Sequence, residues 1–321
     1  MSELIRRVAI TGGSGYIGSR LVEKLENEPQ IDSIVNIDSK PPSKLLDNSK
    51  VTFIQHDIST PLVNHLQELN IQAMIHLAHV LKPSHSRKHT RQVNVGGTSN
   101  ILNACATYGI KKIIYLSSTT IYGAHPNNPQ VFTEKSPIRP NKGFQYSEDK
   151  AEAETKIKSF LLSNSKTKTT ILRSCPVIGP NANNFVSNAF LKPFLISING
   201  YDPPMQFIHE NDLTNILHKC VIDDIQGLYN IAGNDFVFWS EVGKILKRMT
   251  ISLPTKLLYT ITEMLWLLRL QSQSTSSGLN FIKYPWIAST EKIKSDLGIK
   301  FEYSSKQSLE SLYFRLSERI N

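Results

Sequence analysis

The sequence predicts an α/β fold: a doubly wound parallel sheet carrying a smaller, mostly helical substrate-binding lobe. Three observations predict it. Short β-branched runs alternate with amphipathic segments through the first half of the chain. The runs are apolar throughout, as Ile113-Ile114-Tyr115-Leu116 is, which suits parallel strands buried on both faces. A glycine-rich bend joins the first run to the first amphipathic segment.

In chain order, strands are expected over 7–10, 33–38, 51–56, 73–77, 112–117 and 169–173, with helices over 16–26, 95–108 and 147–163. Order loosens after Arg173, where Cys175-Pro-Val-Ile-Gly-Pro180 reads as loop chemistry. The run 228–232 returns as a last strand, and 235–321 reads as mostly helical, punctuated by Pro254 and Pro285. Residues 1–175 plus 205–234 are therefore expected to form a dinucleotide-binding domain, and 176–204 plus 235–321 the substrate lobe.

The chain has 321 residues, 40% of them hydrophobic, enough to build one large or two smaller cores. Its formal charge is +9, but Lys and Arg are scattered with no helix-long basic stripe, so a nucleic-acid partner is not expected. Cys105, Cys175 and Cys220 are far apart and odd in number; they read as core residues, without zinc or disulfide spacing. No metal site is expected. Isolated thiols and no signal-peptide pattern point to the cytoplasm. The most apolar window, 257–270, is shorter than the ~20 residues that span a bilayer and contains Glu263 and Arg269. It reads as a core or dimer helix, a lid over an apolar substrate, or a membrane-surface helix.

The bend Thr11-Gly-Gly-Ser-Gly-Tyr-Ile-Gly18 follows a strand and opens a helix. Glycines let main-chain N–H groups approach a pyrophosphate at a helix N-terminus, where the helix dipole favours negative charge. Gly12, Gly15, Tyr16, Ile17 and Gly18 are the expected contacts. Asp38 closes the second strand, 20 residues beyond Gly18. A carboxylate there hydrogen-bonds ribose hydroxyls and repels a 2′-phosphate, which favours NAD over NADP.

With the motifs that follow, the chain resembles the extended short-chain dehydrogenase/reductase family, NAD-dependent epimerase/dehydratase type, most closely its UDP-glucose 4-epimerase-like branch. Asp57-Ile58 resembles the family's adenine-contacting pair, and His76-Leu77-Ala78 its cofactor-lining loop. Asn94-Val-Gly-Gly-Thr98 resembles its Asn-Val-x-Gly-Thr helix, Ser117–Gly123 its serine strand end, and Tyr146-Ser-Glu-Asp-Lys150 its Tyr-x-x-x-Lys. Leu172–Pro180 and Phe207–Asp212 resemble two substrate-side signatures, and Tyr284-Pro-Trp a late one. The resemblance implies a Rossmann fold, bound NAD, a homodimer and a small-molecule substrate such as a UDP-sugar. Two places depart from it: only 26 residues separate Pro180 from Phe207, and Pro203-Pro-Met-Gln206 stands where an arginine is usual.

Tyr146 and Lys150 are i and i+4, on one helical face. A tyrosine titrates near ~10, and a lysine ammonium about 4 Å away offers about 4 kcal/mol toward ionising it. Tyr146 is the expected general acid/base, Lys150 the stabiliser of its phenolate and a contact to the nicotinamide ribose, and Ser118 a hydrogen-bond donor to the same substrate oxygen. Asn94 is expected to line the site. His76 and His79 read as loop hydrogen-bonders, and His209 and Asp212 as architectural. Three functions stay open: an epimerase that oxidises and re-reduces a sugar nucleotide on retained NAD, a net NAD(P)-dependent dehydrogenase or reductase of a small or apolar alcohol, and a non-enzymatic dinucleotide sensor.

Overall fold

The computed structural model describes residues 4–43, 49–62, 66–271 and 274–318, with side chains to 314. Seven parallel strands form the main sheet: β1 (Arg7–Thr11), β2 (Ser33–Asp38), β3 (Val51–Gln55), β4 (Ala73–His76), β5 (Lys112–Ser118), β6 (Lys168–Ser174) and β7 (Gly227–Ile231). Their order is β7-β6-β5-β4-β1-β2-β3, and every neighbouring pair is parallel. The chain winds one way from β1 to β3 and the other way from β4 onward. The reversal falls between β1 and β4, where ligands bind at strand C-terminal ends in such sheets.

Strands β1, β4 and β5 are buried almost end to end, because helices cover both faces. On one face lie α1 (Tyr16–Glu26) and, later in the chain, the helix Glu210–Ile222. Leu21, Val22 and Leu25 pack with Leu213, Ile216 and Leu217 in one apolar cluster. On the other face lie α2 (Gly97–Thr107) and α3 (Gln145–Ser163), with Ile101, Leu102, Ala153 and Ile157 in a second cluster. The helix Glu210–Ile222 is α4 below.

A third apolar cluster lies outside the sheet: Phe190, Leu195, Phe207, Trp239, Val242, Phe281, Trp286 and Leu309 belong to it. It draws on both 176–204 and 235–321. The stretch 235–321, expected to be mostly helical, includes two strands. Val237–Phe238 pairs antiparallel with Pro204–Met205, and Met249–Leu253 pairs parallel with Phe194–Ile198. Met249–Leu253 is exposed along most of its length, so no buried-face alternation advertised it. Its pairing rests on main-chain bonds. The helix that follows, α5 (Thr255–Leu267), is likewise mostly exposed, with Leu258 its one fully buried residue. Segment 257–270 is therefore not a core helix.

The expected helix over 95–108 starts earlier and is not uniform. A short helix Arg87–Arg91 runs into a single π-helical turn, Gln92–Gly96, before α2. π-turns are rare and concentrate at functional sites. This one carries Asn94. Cys105, Cys175 and Cys220 are free and buried, as their isolation in the sequence implied.

Candidate active site

The glycine bend leaves β1 at the sheet reversal. Gly12 has φ +75°, and a Cβ there would lie 2.7 Å from the Ala78 nitrogen. A Cβ on Gly18 would lie 2.1 Å from the Gly12 oxygen. Both positions are fixed as glycine by close backbone approach. Gly15 differs: a Cβ there would meet only the Gly12 oxygen, at 3.1 Å, so its outer side is open. Gly15 caps α1 without a side-chain cap, and the first turn of α1 has no acidic residue. The N–H groups of Tyr16, Ile17 and Gly18 thus lead an uncapped positive helix end beside open space, the form a diphosphate requires.

Asp38 reaches this bend. Its carboxylate accepts hydrogen bonds from the Ser14 N–H at 3.1 Å and the Lys40 N–H at 3.2 Å. Asp57 is exposed and accepts the Ser59 N–H within its own turn. Ile58 is buried against α2: a Cβ added to Gly97 would lie 2.6 Å from its Cδ1. The Tyr16 phenol donates to Glu210, a fully buried carboxylate that also accepts from the Asn181 side chain and pairs with Arg20 at 3.2 Å. Tyr16 therefore contributes its backbone to the bend, while its ring ties α1 to α4.

The loop after β4 closes the other side. The Leu77 N–H donates to the Thr11 oxygen. His76 Nδ1 lies 2.7 Å from Thr11 Oγ1, and Nε2 lies 3.1 Å from Thr98 Oγ1. The Thr98 hydroxyl donates its proton to the Asn94 oxygen, so Nε2 carries the imidazole proton and Nδ1 accepts. Burial and, secondarily, Lys150 lower the His76 pKa to about 3. Asn94 is fully buried; its Oδ1 accepts the Val80 N–H at 2.7 Å, and its Nδ2 donates to Val80 O and to Asp149. Its role in the structure is to clamp the loop that carries Ala78 and His79. His79 is not the loop hydrogen-bonder expected of it. Its Nε2 is buried without a partner among the described residues, and its ring stands edge-on to Tyr146 at 5.2 Å.

Ser118 ends β5. Its Oγ accepts the Thr120 N–H at 3.2 Å and the Thr120 hydroxyl at 3.0 Å, which aims its own proton elsewhere. Tyr146, in the first turn of α3, is its neighbour: burial pushes the phenol pKa up, and the Ser118 hydroxyl, as a hydrogen-bond partner, works against that. Lys150 is buried and donates from Nζ to the Leu116 oxygen at 2.6 Å. Burial lowers its pKa to about 7, opposed by Glu154. In the free protein, desolvation is the dominant influence on both groups, raising the Tyr146 phenol and lowering the Lys150 ammonium.

Behind Lys150 lies a network the sequence reading did not single out. Glu154, one further turn along α3, is fully buried and accepts from Ser117 at 2.9 Å and from Arg173 Nε at 3.1 Å. Arg173 also donates to the Tyr122 hydroxyl at 2.6 Å. The i, i+4, i+8 spacing of Tyr146, Lys150 and Glu154 was the available signal. In front of Tyr146, a recess is lined by Val80, Leu81, Pro83, Phe144 and Trp266. His209 and Asp212 are architectural, as expected. His209 stacks on Tyr303 and accepts the Asn211 N–H, and Asp212 accepts the N–H groups of Glu302 and Tyr303. Among the described residues no cluster could hold a metal ion, and no helix is long and apolar enough to cross a membrane.

Comparison with known proteins identifies the family and the fold. Residues 8–232 match the model of the NAD dependent epimerase/dehydratase family. An uncharacterized protein of Mycobacterium tuberculosis is 22% identical over 317 residues, 96% of this chain and 83% of that protein. The dTDP-D-glucose 4,6-dehydratase of Mus musculus is 32% identical over 188 residues, 55% of this chain and 52% of that enzyme. Among solved structures, UDP-glucose 4-epimerase of Thermotoga maritima superposes with a TM-score of 0.77 at 17% identity, covering 98% of this chain and 100% of that one. MoeE5, solved with UDP-glucuronic acid and NAD, superposes at 0.75 with 22% identity, covering 98% and 99%.

Proposed function

The chain belongs to the NAD dependent epimerase/dehydratase family, and from that membership we propose that it is an NAD-dependent, sugar-nucleotide epimerase-like enzyme. The observation that carries the reading is the meeting of Ser118 and Tyr146 at the C-terminal end of β5, on the side of the sheet reversal where Gly12 bends. NAD, when bound along that bend, supplies a reversible two-electron acceptor. The residues supply proton handling and orientation. Tyr146 exchanges a proton with the substrate oxygen, and Ser118 hydrogen-bonds the same oxygen. In the free protein the phenol holds its proton, so the acid form is the one at rest. The Lys150 ammonium stabilises the phenolate after transfer. Asp38 stands where a 2′-phosphate would be repelled, which favours NAD over NADP.

Epimerisation is favoured over elimination of water by what surrounds the hydroxyls. The carboxylates of α3 are already engaged: Glu148 by Arg87, Asp149 by Asn94, Glu154 by Arg173. Thr119 and Thr120 direct their hydroxyls to Ser174 O and Ser118 Oγ. A single proton-exchanging phenol suffices for oxidation and return at one carbon. A second reading, a net dehydrogenase or reductase of an apolar alcohol, is supported by Val80, Leu81, Phe144 and Trp266 beside Tyr146 in the recess, whose lining also includes Lys82 and Arg87. Incubating the purified protein with UDP-glucose distinguishes them. Appearance of UDP-galactose without net cofactor reduction supports the first reading. No interconversion, with reduced cofactor accumulating on an apolar alcohol, replaces it with the second.

A further inference from the structure

Helix α5 is inverted. Leu257, Ile261, Met264, Leu265 and Leu268 follow one another at i, i+4, i+7, i+8 and i+11, the spacing of a single helical face. All five are exposed, from 37% for Leu265 to 63% for Leu268, and Leu267 and Leu270 add 72% and 70% at the helix end. The opposite side, turned to the protein, carries polar contacts beside the buried Leu258. The Tyr259 hydroxyl donates to Asn280 at 2.6 Å, Glu263 accepts the Ser276 N–H at 3.1 Å, and Trp266 stacks on His85 with centroids 4.1 Å apart. A surface helix of a water-surrounded protein places these faces the other way round.

The charges on α5 select what covers it. Glu263 is its one acidic residue, and it faces inward. Lys256 and Arg269, both exposed, stand at the two ends of the apolar stripe. Two copies pairing through this face would set cation against cation in either orientation: Lys256 opposite Arg269 when antiparallel, or each residue opposite itself when parallel. No carboxylate on the stripe balances them. A bilayer with anionic headgroups meets both demands, taking the leucines into its acyl boundary and the cations at its surface. At 13 residues, α5 is about 20 Å long, too short to cross and suited to lie in the plane.

We propose that the outward face of α5 docks on an anionic lipid bilayer, laying the Trp266 wall of the Tyr146 recess against the membrane surface. Trp266 lines that recess from the inward side of the same helix, so one element joins the docking face to the wall beside Tyr146. The proposal does not depend on which reaction the site performs.

Vesicle flotation tests it with the full chain, using phosphatidylcholine vesicles and equimolar phosphatidylcholine/phosphatidylserine vesicles. The protein is expected to float with the anionic vesicles and remain behind with the neutral ones. Ile261→Gln combined with Leu268→Gln, both at exposed positions, should abolish flotation while leaving the thermal unfolding temperature unchanged. Lys256→Gln combined with Arg269→Gln should weaken binding by about thirtyfold. Three results overturn the proposal: no flotation with either vesicle, flotation indifferent to the Ile261→Gln/Leu268→Gln pair, or a doubled sedimentation mass that this pair halves while no vesicle is bound.

Discussion

The Lys150 Nζ lies 2.6 Å from the Leu116 main-chain oxygen, so the buried ammonium of α3 is held by the backbone of β5. One carbonyl does not replace the water the ammonium has lost, and its pKa falls to about 7. The folded value lies below that of the unfolded chain. Between about pH 7 and the ordinary lysine value, the unfolded chain binds a proton that the folded one does not. Stability from this group therefore rises with pH across that window, by about 1.4 kcal/mol per pH unit, and is lost as pH falls through it. Denaturant unfolding of wild type and Lys150→Met should show wild type gaining on the variant from pH 7 upward. A constant difference would contradict the burial argument.

His76 is locked neutral by the same logic, with its Nε2 proton directed to Thr98. Its folded pKa of about 3 is below the ordinary histidine value. Its contribution to stability is present above that ordinary value and is lost as pH falls toward 3. Its ring resonances should stay flat between about pH 5 and pH 8, where an exposed histidine titrates. A midpoint in that interval would show that the Thr11–His76–Thr98 chain is not formed.

Glu154 and Arg173 are both buried, at 0% and 1% side-chain exposure. Glu154→Gln leaves the guanidinium without its counter-charge in the interior and should destabilise the protein by about 3–5 kcal/mol. It also removes the one influence that raises the Lys150 pKa, so the Lys150 midpoint should fall further. Thermal unfolding and the pH series together check both halves. A change under about 1 kcal/mol would show the pair to be dispensable.

Cofactor capture rests on the glycine bend. Gly18→Ala places a carbon 2.1 Å from the Gly12 oxygen and must open the turn. Retention of NAD should be lost. Asp38→Asn removes a negative charge at the bend and should raise affinity for NADP relative to NAD by about tenfold, near 1.4 kcal/mol. Isothermal titration with both dinucleotides reads each effect. An unchanged NAD-to-NADP ratio would remove Asp38 from the discrimination.

The parts of this fold legible in the sequence are those governed by local periodicity and covalent necessity. Strands β1, β4 and β5 announced themselves because burial on both faces demands unbroken apolar runs. The Gly12–Gly18 bend announced itself by its glycine spacing, and at Gly12 and Gly18 the close backbone leaves no room for a side chain. What escaped the sequence was long-range or contrary to pattern. The Arg173–Glu154 pair joins a strand and a helix 19 residues apart, and only the folded chain shows that both are desolvated. The leucines of α5 left core, dimer, lid and membrane-surface readings open in the sequence, because periodicity reveals a face but not the direction it points. His79, beside two motif residues, looked like a loop polar group; its orphaned nitrogen is visible only once Asn94 has fixed the Val80 backbone.

The account depends above all on the Tyr146 phenol as the group that moves a proton. Tyr146→Phe deletes one oxygen from a site whose dinucleotide bend lies on other elements. Turnover of the variant on its best sugar nucleotide, measured alongside its affinity for NAD, is the most direct test. The account predicts unchanged NAD affinity and a loss of turnover of about 10²–10⁴-fold. Turnover within a few fold of wild type, at equal NAD affinity, would contradict it.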